Sequence, residues 1–415
     1  MLELLIDVEG NKKNIMLVQN GNLIERYIEE QGQDRLEGDI YLGIVKNILP
    51  GMQAAFVDIG KEKNTFIHIR DIIPKVSDET GNKNENFANY NIKNYLKIDE
   101  PIMVQVKKDS TNKKGARISS HLSIPGRFVV IMPGEKFVTL SQKIGDENER
   151  VRLKEIVNKN IPEGYGAIIR TSAIAKSETE IIKDLTKTIE KYVSIEKAFR
   201  EAIENKNEIK PQLLCKSEDV VQRMLTDLMD QNLERILTND VTVYESIKEK
   251  LQSANKDHTG KSSTETENEG TEKKKIKLEL KENIADMYNL RKQLEELENR
   301  KIWLKCGGFI TIDKTEALTA IDVNSGKYTG KKDLEQTIFT VNKEATIEIA
   351  KQLRLRDIGG IIIIDYIDMS NKENENKIIE LFKEQLKKDR SKTQIVGFSK
   401  LNLLEMTRKH MCSND

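Results

Sequence analysis

Two acidic residues and an amide occupy positions where short apolar runs end. In Ile321-Asp322-Val323-Asn324 the two-residue period of a strand places Asp322 and Asn324 on one face and the apolar side chains on the other. Asp365 directly follows the apolar run 361–364. Ligands of open α/β sheets bind at the carboxyl ends of strands, so we expect these three side chains to converge.

Two carboxylates at such a place suit a hard divalent cation. Mg²⁺ uses one or two carboxylates and takes its other ligands from water and phosphate oxygens. Such an ion polarises a phosphodiester and lowers the pKa of an attacking water. Asp322 and Asp365 could equally well be aspartates that merely end strands and cap loops. Both interpretations, the metal site and the structural role, stay open here.

The elements that must position these residues follow from hydrophobic periodicity. Alternation predicts strands at 309–313 and 318–324, and apolar residues at helical spacing predict a long helix over 334–353. Gly359 and Gly360 end that helix, and the run 361–364 predicts a strand buried on both faces. The result is a strand, crossover helix, strand unit in an α/β fold.

A second group of residues combines aromatic and basic side chains. Short β-rich runs from Gly38 to about Ser120, separated by Gly, Pro and Asn, predict a small antiparallel barrel. Phe56 and Phe66 lie in its strands, and a basic cluster follows: Lys107, Lys108, Lys113, Lys114 and Arg117. Exposed rings beside cations grip single-stranded nucleic acid. The alternative, with both rings inside the barrel and the lysines in a solvated loop, is equally compatible.

The remaining segments carry weaker signals. Helical spacing predicts helices over 178–205 and from Glu218 to Leu237, and the polar stretch Gln252 to Lys274 predicts a disordered insertion. Lysines of the segment 327–332 could meet phosphates or form a solvated basic loop. That segment is not a nucleotide-binding loop, since its glycine spacing is one residue short and Lys332 replaces the required Ser or Thr.

Length and composition limit the classes of protein to which the chain can belong. A chain of 415 residues is about 2.8 times a common domain, which predicts two to four domains. Lys plus Arg and Asp plus Glu each total 68, so the net charge is zero and gives no global sign of a polyanionic partner. We expect neither a secretory signal nor a membrane span. Three widely spaced cysteines argue against a disulfide framework and favour a cytoplasmic setting.

Taken together, the motifs resemble the catalytic region of the bacterial ribonuclease E/G family over residues 1 to about 408. The stretches that carry the resemblance are 54–58, 169–171, 315–325, 354–360, 364–369 and 403–406. The resemblance implies an endoribonuclease that cuts single-stranded RNA with Mg²⁺, or with Mn²⁺ in its place. Products would carry 5′-phosphate and 3′-hydroxyl ends, with a preference for 5′-monophosphorylated substrates, in RNA processing and decay.

The resemblance also implies roles for individual residues. Asp322 and Asp365 would hold the metal, with Asn324 orienting the reacting group. Residues that would bind RNA or its 5′-phosphate are Phe56, Phe66, Lys114 and Lys400, with Arg170 and Thr171 in the phosphate pocket. A guanidinium offers paired donors to a terminal phosphate, and a hydroxyl adds another.

The implied architecture is α/β and multidomain. Residues 1–35 and 217–287, the latter with the insertion 252–274, would form a ribonuclease-H-like subdomain, and 36–120 an S1-type OB barrel. Residues 121–216 would form a 5′-sensor, 288–402 a deoxyribonuclease-I-like catalytic subdomain, and 403–415 a tail.

Two departures from the family pattern affect the expectations. Lys400 stands where the family usually has an Arg, which keeps the charge but loses bidentate phosphate recognition. No Cys-Pro-x-Cys zinc link follows 403–406, so neither zinc nor a zinc-bridged dimer is expected, although another homo-oligomer is compatible with the chain. The main alternative function is therefore an RNA-binding protein of the same family that lacks catalysis. A DNA nuclease or phosphodiesterase is disfavoured by the barrel and the Arg170-Thr171 pair.

Overall fold

The computed structural model describes residues 1–30, 35–72, 90–110, 115–204, 209–229, 233–256, 276–326 and 334–411. The chain divides into two compact units. The first unit combines residues 1–33 with 228–414, and the second unit comprises residues 34–227. Lys113, Lys114, Lys327, Lys331, Lys332 and Cys412 lie outside the described residues.

The first unit begins with an antiparallel meander. Its strands are β1 (Leu2–Glu9), β2 (Lys12–Gln19) and β3 (Asn22–Glu30). Asn20 and Gly21 connect β2 to β3 with φ values of 51° and 80°, the positive pair that a tight hairpin turn requires. The central apolar side chains of β1 and β2 are fully buried, which makes this meander part of a core: Leu4, Leu5, Ile6, Ile15, Met16 and Val18.

The second unit opens with a closed barrel. Its strands are β4 (Ile40–Leu49), β5 (Ala54–Asp58), β6 (Thr65–His68), β7 (Pro101–Lys108) and β8 (Arg117–Ser119). They run in the order β4-β5-β6-β8-β7, and β7 pairs back onto β4. Val45, Val57, Ile67, Val104 and Ile118 fill the interior. The predicted small barrel is confirmed, with one parallel pairing, between β6 and β8.

A four-stranded sheet with two helices follows in the second unit. Its elements are β9 (Ile124–Pro125), β10 (Val129–Pro133), β11 (Val138–Leu140), α1 (Glu147–Asn160), β12 (Tyr165–Ile169) and α2 (Glu178–Glu204). The strand order is β11-β12-β10-β9, and strand β13 (Gln212–Cys215) instead pairs with β4 of the barrel. Leu153, Val157, Ile181 and Leu185 of the helices share one core with Ile131 of the sheet.

The next segment completes the sheet that β1 began. Its elements are α3 (Val220–Leu228), β14 (Leu233–Thr238), α4 (Val241–Lys256), β15 (Lys277–Leu280) and α5 (Leu290–Glu296). Strand β14 pairs in parallel with β1, giving the order β15-β14-β1-β2-β3. The prediction of a helix from Glu218 to Leu237 is wrong beyond Leu228, because pairing with β1 buries Ile236 and Leu237 completely. Of the predicted insertion, 252–256 end α4 and 257–274 lie outside the described residues.

The last sheet of the first unit carries the conspicuous acidic residues. Its elements are β16 (Lys301–Trp303), β17 (Phe309–Lys314), β18 (Leu318–Asn324), α6 (Leu334–Leu355), β19 (Gly360–Asp365), α7 (Lys372–Leu386), β20 (Thr393–Phe398) and β21 (Leu403–Arg408). The strand order is β16-β17-β18-β19-β21-β20. Strands β18 and β19 are parallel neighbours, which confirms the predicted strand, crossover helix, strand unit.

Only one face of this last sheet is covered by α6 and α7. Ile321, Val323, Ile362 and Ile364 pack with both helices in a single core. On the other face Ile361 is 51% exposed, so the expectation of a strand buried on both faces is wrong. Both helices lie on the same face of the sheet, and along each strand the residues of the other face alternate with the core residues. We call this other face the open face; it carries Lys301, Trp303, Phe309, Thr311, Asp322, Asn324 and Asp365.

Candidate functional site

The two predicted acidic residues lie side by side on the open face. Asp322 of β18 and Asp365 of β19 are directly opposite each other in the parallel register, and both side chains are exposed. The Asn324 amide Nδ2 donates a hydrogen bond of 2.6 Å to Asp322 Oδ2. Strand period places Asn324 on the same face as Asp322, so the structure brings all three predicted residues together.

Negative charges crowd around Asp365. The pKa of the Asp365 carboxyl is raised above its usual value, first by burial and then by the charges of Asp322 and Asp368. Asp368 was not singled out from the sequence, although it lies three residues after Asp365 in the same motif, 364–369. Its Oδ1 accepts a weak hydrogen bond of 3.4 Å from Asn402 Nδ2. Crowded carboxylates of this kind favour a bound cation.

The number of ligands narrows the kind of metal site that fits. Across the described residues, no group of three or more His, Cys, Asp or Glu side chains is arranged to hold a metal ion. A cation at Asp322 and Asp365 would therefore take its other ligands from water or from a bound phosphate, which is the usual mode for Mg²⁺. The donor set consists of hard oxygens and fits that ion.

Lys400 lies in the turn between β20 and β21, near the end of β19 that carries Asp365. Strand β21 starts at Leu403, the register partner of Asp365, and Lys400 lies three residues earlier. The Ser399 hydroxyl organises the turn by accepting hydrogen bonds from the backbone N–H groups of Leu401 and Leu403, at 3.2 and 3.3 Å. The Lys400 side chain is exposed. An exposed cation thus lies beyond the same end of β19 as Asp365.

In the barrel, Phe56 and Phe66 face outward. They are register partners on β5 and β6, with ring centroids 6.2 Å apart and planes at 69°. Their neighbours Ala55 and Ile67 are fully buried, so the alternation places the rings on the outer face, half-buried. The structure therefore excludes the alternative in which both rings fill the interior, and Lys114 lies outside the described residues.

The basic character of this barrel face comes partly from residues that the sequence analysis did not select. The pKa of His68 is lowered by burial and by the positive charges of Arg70 and Arg117. Arg117 itself is held by Asp71, with Nη2 2.7 Å from Oδ2. Alternation along β6 places His68 on the same face as Phe66. From this two-residue spacing the sequence could have predicted that His68 belongs to the face with the rings.

Arg170 and Thr171 follow β12 in the second unit. The Arg170 guanidinium donates to the Gly126 carbonyl at 2.9 Å and to Asp227 Oδ1 at 2.6 Å, and it remains 30% exposed. Thr171 is exposed and starts a short 3-10 turn, Thr171–Ala173. The guanidinium therefore already holds one anionic partner, Asp227, from helix α3.

A carboxylate that the sequence analysis missed holds the loop 126–129, whose Gly126 carbonyl accepts a hydrogen bond from Arg170. Asp184 of α2 accepts hydrogen bonds from the backbone N–H groups of Arg127, Phe128 and Val129, at 2.9, 2.7 and 3.0 Å. A Cβ on Gly126 would lie 2.7 Å from Asp184 Oδ2, so this approach requires glycine. No local sequence pattern links Asp184 to a loop 55 residues away.

Comparisons with known proteins give the class of the protein. A model of the S1 RNA binding domain matches residues 36–120, and a model described as Ribonuclease E/G family matches residues 123–411. An S1 domain followed along the chain by a region of the ribonuclease E/G type defines a ribonuclease that carries its own RNA-binding domain.

Similarity to individual proteins extends over nearly the whole chain. Ribonuclease G of Escherichia coli K12 is 36% identical over 408 residues, which cover 98% of this chain and 79% of that protein. Ribonuclease G of Haemophilus influenzae is 36% identical over 409 residues, with the same coverage. Ribonuclease E of a Nostoc species is 33% identical over 410 residues, covering 97% of this chain and 56% of that protein. The chain belongs to the ribonuclease E/G family and is an endoribonuclease.

The helices were also compared with the requirements of a membrane span. Within the ranges that the structure describes, no helix is both long enough and apolar enough to cross a bilayer.

Proposed function

We propose that this endoribonuclease hydrolyses internal phosphodiester bonds of single-stranded RNA at Asp322 and Asp365, in a Mg²⁺-dependent reaction, and prefers substrates with a 5′-monophosphate. The observation that carries the proposal is the register pairing of two exposed carboxylates, whose mutual repulsion contributes to the raised pKa of Asp365. RNA processing and decay, in a cytoplasmic setting, is the corresponding cellular role. The S1 domain and the family membership support RNA as the substrate.

The chemistry divides between the chain and the ion. When bound, Mg²⁺ would supply charge neutralisation at the scissile phosphate and acidify a water; Mn²⁺ would serve in the same way. Asp322 and Asp365 would hold that ion, and the amide of Asn324 keeps the Asp322 carboxylate in one orientation. Water oxygen bonds to phosphorus as the bond to the 3′-oxygen breaks, and that oxygen takes up a proton. The products are a 5′-phosphate and a 3′-hydroxyl.

Binding of the strand would fall to other residues. Phe56 and Phe66 offer ring faces on the barrel for base stacking, and Lys114 would add a cation for a phosphate. Lys400 offers a second cation, beyond the end of β19 that carries Asp365. Arg170 and Thr171 would bind the terminal phosphate, with the guanidinium exchanging Asp227 for the incoming anion.

The finer domain assignments belong to the same proposal. The sheet β15-β14-β1-β2-β3 joins residues of 1–35 and 217–287 and supports one ribonuclease-H-like subdomain built from both segments. The sheet with β18 and β19 supports a deoxyribonuclease-I-like catalytic subdomain that extends beyond the expected 288–402. Strand β21 pairs with both β19 and β20, so residues 403–408 belong to this sheet and not to the expected tail at 403–415. The sheet containing β12 supports a 5′-sensor at 121–216.

The metal site is tested by Asp365→Asn, which preserves shape but removes the charge. We expect cleavage of a 5′-monophosphorylated oligoribonucleotide to fall by at least about 10²-fold, while binding measured in EDTA changes less than about twofold. Asp286→Asn, at an exposed ion pair with Arg291, is the matched control and should cleave normally. Undiminished cleavage by Asp365→Asn would refute the site.

The 5′ pocket is tested by Arg170→Ala. The ratio of kcat/KM for a 5′-monophosphate over a 5′-hydroxyl substrate should drop toward unity, since a charge-assisted pair to phosphate is lost. Arg200→Ala removes an exposed helix guanidinium paired with Glu196 in the same unit and should leave the ratio unchanged. An unchanged ratio in Arg170→Ala would contradict the pocket assignment.

A further inference from the structure

An aromatic cluster with a lysine lies on the open face, at the edge strand β16. Trp303 is 61% exposed, and its ring meets that of Phe309 at a centroid distance of 5.3 Å and an angle of 62°. Lys301 Nζ lies 4.1 Å from the Trp303 centroid and 3.5 Å from the Phe309 centroid. We call these three residues the Trp303 platform.

Strand register connects the platform to the paired carboxylates. Trp303 lies opposite Phe309, which lies opposite Asn324. One row along, Lys301 lies opposite Thr311, Thr311 opposite Asp322, and Asp322 opposite Asp365. Residues directly opposite each other project to the same face, so the platform and the carboxylates share it. β16 is two strand spacings from β18, or about 10 Å.

The core does not account for this cluster. The sheet buries its other face against α6 and α7, whereas Trp303 keeps most of its surface in solvent even with Phe309 and Lys301 in contact. A large ring held by a neighbouring ring, with one side open, suits a flat aromatic ligand.

The positively charged side chains nearby suit the phosphates of such a ligand. Lys301 and Arg300 are adjacent, and the Arg300 guanidinium is held by Asp313, with Nη2 2.7 Å from Oδ2. Asp322 also lies close enough to stabilise the charged form of Arg300. Lys301 therefore lies beside the aromatic rings and in the same row across the sheet as the carboxylates, where it can meet a phosphate of the sugar-phosphate backbone.

We propose that the Trp303 platform stacks a nucleobase of the RNA close to the scissile phosphate and so helps to fix which bond reaches Asp322 and Asp365. This inference rests on the proposed function, since it assumes that the scissile phosphate binds at these carboxylates. Trp303 and Phe309 act on the base, and Lys301 acts on a flanking phosphate. The platform adds a base contact on the catalytic sheet itself, in addition to the phenylalanines of the barrel.

Fluorescence tests the platform without cleavage. Trp303 is the single tryptophan of the 415-residue chain, so its emission reports on this position alone. We expect a short 5′-monophosphorylated RNA added in EDTA to quench that emission as its binding, followed by anisotropy, saturates. The same RNA with abasic central nucleotides should bind without quenching. Binding of the intact RNA with unchanged Trp303 emission would overturn the proposal and leave the proposed function standing.

Variants provide the second test. Trp303→Ala should raise KM for single-stranded RNA on the order of tenfold, as loss of one stacked base does, with kcat within about twofold. Trp303→Phe should recover most of the loss. Val241→Ala, at a residue 61% exposed on α4, controls for removal of an exposed apolar side chain. Wild-type KM in a folded Trp303→Ala protein, checked by thermal unfolding, would refute the platform. If the wild-type chain itself fails to cleave, the proposed function fails, whereas the fluorescence result still decides the platform.

Discussion

The carboxylate pair and the Arg170 pocket are two charged sites that the chain compensates in opposite ways. Asp322 and Asp365 stand beside each other, and the amide that holds Asp322 carries no charge to balance them. Arg170 is already engaged with Asp227 and a carbonyl. The first site favours a bound cation, whereas the proposed binding of a 5′-phosphate at the second would require Arg170 to exchange an internal anion for an external one.

The two sites also differ in what positions their side chains. Asp322 and Asp365 are set by strand register within a sheet backed by a helical core. Arg170 and Thr171 lie in a turn that depends on carboxylates such as Glu149, whose Oε1 accepts from the Ala175 N–H at 2.9 Å. A site on paired strands tolerates surface changes well, whereas a site on a turn depends on a few hydrogen bonds.

The largest expected effect tests whether the carboxylates act as one unit. Asp322→Asn should reduce cleavage by at least about 10²-fold, and the double variant with Asp365→Asn should lose little more, because residues that act together are not additive. The measurement is single-turnover cleavage of the same RNA by wild type, both single variants and the double variant. If the losses of the two single variants multiply in the double variant, Asp322 and Asp365 act independently and do not form one site.

A smaller effect is expected from freeing Arg170. Asp227→Asn keeps a hydrogen-bonding group but removes the internal anion, so the preference for a 5′-monophosphate over a 5′-hydroxyl end should rise about threefold, within the range of a partly exposed ion pair. The comparison of kcat/KM for the two substrates measures it. A fall in the preference would instead show that Asp227 positions the guanidinium for the phosphate.

The smallest effect concerns pH and the turn after Thr171. Hydrogen bonds from Arg152 and the Ala175 N–H lower the pKa of Glu149 to about 2. A folded-state pKa below the unfolded value adds stability above about pH 4.5 that is lost as pH falls toward 2. Glu149→Gln should therefore be less stable than wild type by about 0.5–1 kcal/mol at pH 7, and the gap should narrow near pH 3. Thermal unfolding at both pH values checks this, and a gap that is constant with pH would exclude the ionic contribution.

Much of the fold was predictable because its signals are local. The alternation in β17 and β18, the helical spacing of α6 and the apolar run of β19 led directly to a parallel unit with Asp322 and Asp365 near one another. The barrel was predictable for the same reason. Strand β14 was not, since Leu233, Ile236 and Leu237 are spaced as in a helix and form a strand only through pairing with β1.

The candidate sites were also predictable only where their signals are local. The spacing of Asp322 and Asn324 already placed them on one face, but nothing local showed that this face would stay uncovered or that Trp303 would share it. Likewise Phe56 and Phe66 could have pointed inward, and closure of the barrel placed them outside. Asp184 and Asp227 are 56 and 57 residues from the groups that they contact.

The sequence by itself determined the residue types, their spacing along each strand and helix, and the motifs by which the family is recognised. The tertiary structure alone decided which strands became neighbours, which face of the sheet with Asp322 and Asp365 the helices left open, and which carboxylate Arg170 holds. The physical reason is that periodicity depends on neighbours a few residues apart, whereas register and burial depend on partners that only folding brings together.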